Sequence, residues 1–320
     1  MKSLTHPILY TLCLSLLTQT LPVSAQQNNN QRARNQPPKS IDGFQTEIYK
    51  TVGDMELPIH IITPAGHRKN DKRPTAVFFF GGGWRGGTPS QFEHQCRYLA
   101  TRGMAAMTVE CRVAGRHGVK AVSCVRDAKS AIRWVRQNAE RLGIDPDRIV
   151  AGGGSAGGHL AGAIGTVRAF DEDNEDHTVS SIPNALALFN PVLVLAQVEG
   201  EEKISAERLR LLEERIGVPS QNLSPYHHLS KDLPPTIIFH GRADTTVQFR
   251  SVELFTEKAN ALGNRCELVA FDDQPHGFFN YGRGGNEMFE ATVKAMDRFL
   301  VSLDYIQGVD TVNEYLASTN

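Results

Sequence analysis

The 320-residue sequence has no surplus of either charge, with 34 Lys and Arg against 35 Asp and Glu. A net charge of -1 provides no basic field for condensing on phosphates, which argues against nucleic acid as a partner. No stretch of about 20 uninterrupted apolar residues occurs, so a helical membrane protein is excluded. No internal repeat is visible. Cysteine is sparse, with five residues at positions 13, 96, 111, 124 and 266, and the Cys and His positions show no paired short spacing of the zinc-site kind. No metal is therefore expected. What is present is apolar substance: 40% of the residues are hydrophobic, enough for a sizeable core, which rules out a wholly disordered chain.

The N-terminus reads as targeting. Lys2 supplies a positive start, Ile8 to Leu17 an apolar core, and Val23-Ser24-Ala25 the small-residue pattern of a cleavage site. Residues 1–25 are thus expected to be a secretory signal cut before Gln26, which directs the chain to the periplasm or beyond. The apolar core is too short to anchor the chain across a bilayer. Gln26 to Gln36 contains eight Gln or Asn, followed by Pro37-Pro38, so 26–40 reads as a solvated linker. The folded domain is expected over 41–305, with 306–320 as a C-terminal tail. In an oxidising compartment the four cysteines beyond the signal could pair in three ways, and buried free thiols are equally compatible with a domain of this size.

From Glu56 to Leu300 short apolar runs alternate with longer helical stretches. Thr75 to Phe80, Ala105 to Val109, Arg148 to Ala151, Ala185 to Phe189, Thr236 to Phe239 and Cys266 to Phe271 read as strands, several of them buried on both faces. Helical spacing joins Val122 to Leu142, stopped by Gly143, and recurs near Ser251 to Leu262 and Glu287 to Leu300. Such alternation predicts an α/β fold, with a mostly parallel sheet and helices on both faces. Ala196 to Ser230 departs from the rhythm, carrying one amphipathic stretch through Ile204, Leu209, Leu212 and Ile216. It is either a crossover helix or a small cap.

Three motifs carry chemistry. Ser155 lies in Gly153-Gly154-Ser155-Ala156-Gly157-Gly158, between a strand and a helix, where a sharp turn needs small neighbours and lifts a serine Oγ clear of the sheet. Asp244 and His276 follow the next strands, so the order Ser, Asp, His places an acid and a base beyond the carboxyl ends of the strands. Asp272 and Asp273 lie too near His276 in the chain to approach its ring from a neighbouring strand end, and His227, His228 and His240 do not fit the order. The third motif, Phe80-Gly81-Gly82-Gly83-Trp84, exposes backbone N–H groups that, with the N–H of Ala156, could stabilise an oxyanion.

On these residues the chain resembles the α/β-hydrolase superfamily, and within it the hormonesensitive-lipase-like serine esterases, especially the secreted bacterial acetyl and feruloyl esterase group. The resemblance implies a doubly wound eight-stranded sheet, no cofactor, hydrolysis of small-molecule or polysaccharide esters through an acyl-enzyme, and oxyanion donors at Gly82, Gly83 and Ala156. Two positions depart from the pattern. Phe80 stands where those esterases usually carry a His that supports the glycine loop, and Gly154 where many carry an acidic residue. A peptidase of the same fold, whose relatives usually carry a large β-propeller ahead of the hydrolase domain, and a non-catalytic hydrolase-like binding protein are the alternatives.

Overall fold

The apolar runs form the centre of a single sheet. In the computed structural model, which describes residues 36–319, the strands are Gln45–Val52 (β1), Met55–Ile62 (β2), Arg73–Phe79 (β3), Ala105–Val109 (β4), Ile144–Gly154 (β5), Ala185–Phe189 (β6), Thr236–Gly241 (β7) and Cys266–Phe271 (β8). They lie in the order β1-β2-β4-β3-β5-β6-β7-β8, with β1 and β2 antiparallel and the pairs from β4 through β8 parallel. The expected signal segment and the linker as far as residue 35 lie outside the described residues. Ile41 and Phe44 are buried.

Alternation along the strands feeds two cores. Val77 and Phe79 of β3 face one side with Leu186 and Leu188 of β6, while Ala76, Phe78, Ala187 and Phe189 face the other. Helices Ala121–Gln137 (α2), Ala156–Thr166 (α3) and Phe249–Ala261 (α5) cover the first face. Helices Glu93–Thr101 (α1) and Glu287–Val301 (α6) cover the second. Asp127 on α2 is fully buried and its carboxylate accepts hydrogen bonds from Lys50 Nζ at 2.8 Å and Arg112 Nη2 at 2.7 Å, tying the edge strand β1 to the segment after β4. A buried carboxylate is tolerated only with such partners.

The structure corrects three boundaries. The helix expected from Val122 to Leu142 breaks at Asn138 and resumes for one turn, Ala139–Leu142, before Gly143 ends it in the left-handed region at φ 65°. The strand expected from Arg148 begins at Ile144, because the register against β3 shifts between Arg73 and Thr75 and accommodates Asp145-Pro146-Asp147 as an irregularity. Of the stretch 306–320, expected to be a tail, the described residues 306–319 are packed instead: Ile306, Val312 and Tyr315, the last two on helix Val312–Thr319 (α7), are buried in the second core. Its few apolar residues fall at helical spacing on one side, too short a pattern to stand out in the sequence.

The question of the cysteines also closes. Cys96, Cys111, Cys124 and Cys266 are free and buried. Burial pushes the Cys124 and Cys266 thiols up to about 12 and the other two well above their usual range, so the reactive thiolate is suppressed. Native protein is therefore expected to react with Ellman's reagent at none of these four positions within minutes, and at all four once unfolded in guanidinium. Rapid labelling of any of the four in folded protein would contradict the packing.

Candidate active site

The carboxyl ends of β3, β5, β6, β7 and β8 converge on one edge of the sheet. Ser155 follows β5 and immediately precedes α3, with φ 55° and ψ -116°, a conformation that costs a non-glycine residue about 1–3 kcal/mol. Its N–H donates to Phe189 O at 2.8 Å and its C=O accepts from His159 N at 2.9 Å, which holds the strained turn from both sides. The neighbours are small of necessity. A Cβ on Gly157 would lie 2.0 Å from Phe79 O, and one on Gly153 would lie 2.5 Å from Gly157 backbone. Gly154 has its own reason: a Cβ there would meet the Phe279 ring at 2.5 Å, so an aromatic residue occupies the space an acidic side chain would need.

Ser155, His276 and Asp244 are brought into one line. His276 Nε2 lies 2.9 Å from Ser155 Oγ, and His276 Nδ1 lies 2.7 Å from Asp244 Oδ2. Asp244 is buried. Its Oδ1 accepts from the N–H groups of Thr246 and Val247, each at 2.9 Å. Burial by itself would raise its pKa, but hydrogen bonds from His240, His276 and Val247 N–H outweigh that and hold the carboxyl far below the usual range. It is a fixed anion facing the imidazole.

The other candidates fall elsewhere. His240 is fully buried, with Nε2 2.9 Å from Val247 O and 3.3 Å from Asp244 Oδ2, so it braces the acid and does not approach Ser155 as a base. His227 is bound to Ser224 and Gln197, and His228 to Gln221. Asp272 pairs with Arg242 at 2.9 Å, and Asp273 is exposed on the same turn.

Gly81 to Gly83 follow β3 beside the serine. Gly81 approaches so closely that a Cβ on it would lie 3.3 Å from Ser155 Cβ and 2.9 Å from Gly154 O. Gly82 and Gly83 have φ 124° and 61°, and among the described residues neither N–H has a hydrogen-bond partner. Ala156 is the first residue of α3, so its N–H has no intrahelical acceptor. Three donors are thus left for a group bound against Ser155.

The loop is held without the histidine replaced by Phe80. Gly81 N–H donates to Gln91 Oε1 at 2.6 Å, and Gln91 Nε2 donates to Asn280 Oδ1 at 3.0 Å. Asn280 in turn donates to Gly277 O at 2.8 Å, so the chain of bonds runs from the glycine loop to the residue after His276. On the far side, Trp84 Nε1 donates to His159 Nδ1 at 3.3 Å while His159 Nε2 bonds Leu223 O at 2.9 Å. Asn190 completes the frame: its Nδ2 donates to Asp244 Oδ2 at 2.9 Å and its Oδ1 accepts from Gly277 N at 3.3 Å. Gln91, Asn190 and the Trp84–His159 pair were missed in the sequence. Asn190 alone had a positional signal, since it directly follows β6 at the same end of the sheet.

His159 carries a pH consequence. Complete burial lowers its pKa from 6.5 to about 4, so the folded chain keeps it neutral where the unfolded chain would take up a proton. Stability is present above the unfolded value and is lost as pH falls from about 6.5 to about 4, by about 3 kcal/mol. Urea unfolding at pH 6.5 and 4.5 checks this, and the slope should shrink in a His159→Asn variant. Stability that is flat or rises on acidification through that window would contradict it.

The segment 196–230 is the crossover from β6 to β7. Its helix, Ala206–Ile216 (α4), fully buries only Ile216 and sets Arg215 against Gly83.

Comparisons place these features among known proteins. The BD-FAE family model matches residues 59–259. A solved structure of a thermophilic esterase, Est2, from the Planctomycetes species Thermogutta terrifontis is 50% identical, with TM-score 0.81, over 84% of this chain and 95% of that one. The structure of Thermogutta terrifontis esterase 2 phosphonylated by sarin is 48% identical, with TM-score 0.82, over 85% of this chain and 99% of that one. Esterase LipC of Mycobacterium tuberculosis is 26% identical over 220 residues, covering 64% of this chain and 53% of LipC. The chain spans about half the length of the curated relatives it matches.

Proposed function

Because the chain belongs to the BD-FAE family of α/β-hydrolase proteins, we propose that it is a serine carboxylesterase in which Ser155 attacks an ester carbonyl. The observation that carries this reading is the continuous line from Asp244 through His276 to Ser155 Oγ, beside a loop with unoccupied N–H donors. His276 takes the serine proton and returns it to the leaving alcohol, while Asp244 fixes the imidazole tautomer and stabilises its cation. Gly82, Gly83 and Ala156 bind the oxyanion of the tetrahedral intermediate. The acyl-enzyme is then released to water activated by the same histidine.

The finer reading is a secreted enzyme that removes acetyl or feruloyl groups from polysaccharide or small esters. Its support is the Lys2, Ile8 to Leu17 and Val23-Ser24-Ala25 pattern together with the BD-FAE match. A panel of short- and long-chain 4-nitrophenyl esters, acetylated xylan and methyl ferulate tests it. Turnover of short acyl or feruloyl esters is expected, and activity confined to long acyl chains would refute it. Secretion is tested by N-terminal sequencing of exported protein, which should begin at Gln26.

A further inference from the structure

Beside the glycine loop lie two arginines that the esterase mechanism does not use. The Arg215 guanidinium stands over Gly83, close enough that a Cβ on that glycine would lie 2.9 Å from Nη2, and its Cζ is 5.7 Å from the centre of the Trp84 ring. Arg85 belongs to the turn of the loop itself, its N–H donating to Gly82 O at 3.1 Å. Both side chains are exposed, and among the described residues neither joins an ion pair or a side-chain hydrogen bond. Acids are not lacking on the helix that carries Arg215. Glu207 and Glu214 both turn instead to Arg210, at 3.0 and 3.4 Å. Partial desolvation against the loop, followed by the Arg85 charge, lowers the Arg215 pKa. Two like charges held next to a reaction centre without a counter-ion are a receptor for an anion supplied from outside.

We propose that Arg215 and Arg85 form an anion subsite at the mouth of the ester site, and that the preferred substrates are esters bearing a carboxylate near the scissile bond. The planar fork of a guanidinium matches the two oxygens of a carboxylate, and the cation–π contact with Trp84 holds the Arg215 head beside the loop. This inference rests on the esterase reading above. It adds to that reading a class of substrate: monoesters of dicarboxylic acids if the charge is on the acyl side, or esters of hydroxy acids if it is on the alcohol side.

The test uses the full chain and matched pairs of esters. The acyl-side pair is mono-4-nitrophenyl adipate and the same ester with its carboxylate capped as an amide. The alcohol-side pair is 4-acetoxybenzoate and 4-acetoxybenzamide. In at least one pair the anionic member should have the higher kcat/KM at low salt, and the anionic-to-neutral ratio should fall several-fold in about 0.5 M NaCl. In Arg215→Gln that ratio should drop about tenfold, as expected for loss of a charge-assisted hydrogen bond, and in Arg85→Gln by less. Because the neutral ester is measured on the same sample, a folding defect cancels in the ratio. A ratio at or below one in both pairs, or one unmoved by Arg215→Gln, overturns the proposal. An equal loss on both members overturns it too, and would place Arg215 on the oxyanion instead. Absence of turnover on all four esters by the unmodified chain would refute the esterase reading itself, and the subsite with it.

Discussion

Ser155→Ala is expected to lower ester turnover by about 10⁶-fold, the scale on which deletion of a serine nucleophile acts. The fold should survive the change. The bonds that hold the turn, Ser155 N–H to Phe189 O and His159 N–H to Ser155 O, are backbone bonds, and alanine keeps the same Cβ in the same strained conformation. What is lost is the Oγ 2.9 Å from His276 Nε2. A 4-nitrophenyl acetate assay, with circular dichroism and an unchanged urea midpoint as controls, checks the prediction. Turnover within tenfold of the unmodified chain would remove Ser155 from the role.

Asp244→Asn is expected to cost about 10⁴-fold in kcat through the tautomer of His276. Asp244 Oδ1 accepts two backbone N–H bonds, from Thr246 and Val247, and an asparagine satisfies these only by presenting its carbonyl oxygen there. Its NH₂ then faces His276 Nδ1, which must become an acceptor, so the proton moves to Nε2 and the ring can no longer take the Ser155 proton. The same NH₂ faces the Asn190 amide that donates to Asp244 Oδ2, adding a donor–donor conflict. Activity should recover in part at high pH, where hydroxide can take the serine proton in place of the mis-protonated ring, and a pH–rate profile reads this. A variant with nearly full activity and an unchanged profile would show that the acid does not set the tautomer.

The parts of this site that could be read from the sequence are those whose signal is local. Gly153 and Gly157 are dictated by backbone contacts within the turn and against β3, and strands such as Ala185–Phe189 are continuous apolar runs because both faces are buried. The supports were not legible because their partners are far apart in the chain. Gln91 meets Asn280 across 189 positions and Trp84 meets His159 across 75, and nothing in Gln or Trp alone announces a bond of that kind. The replacement at Phe80 thus raised a question the sequence could not answer, since the substitute support comes from Gln91, ten positions beyond Gly81, in the turn ahead of α1. Gly154 is similar: its smallness depends on Phe279, which only the folded chain brings to it. The end of the domain was misplaced for a different reason, because α7 is short and half exposed and its two buried residues, Val312 and Tyr315, make too faint a pattern.

The account stands on one covalent event, the acylation of Ser155. Incubation of the purified chain with a fluorophosphonate, followed by intact mass and peptide mapping, reads it directly; the similar Thermogutta terrifontis esterase 2 was solved phosphonylated by sarin. One adduct per chain is expected, on the peptide containing Ser155, with loss of ester hydrolysis in proportion and no adduct in Ser155→Ala. A chain that hydrolyses esters yet takes no label, or takes it at another residue, would contradict the assignment.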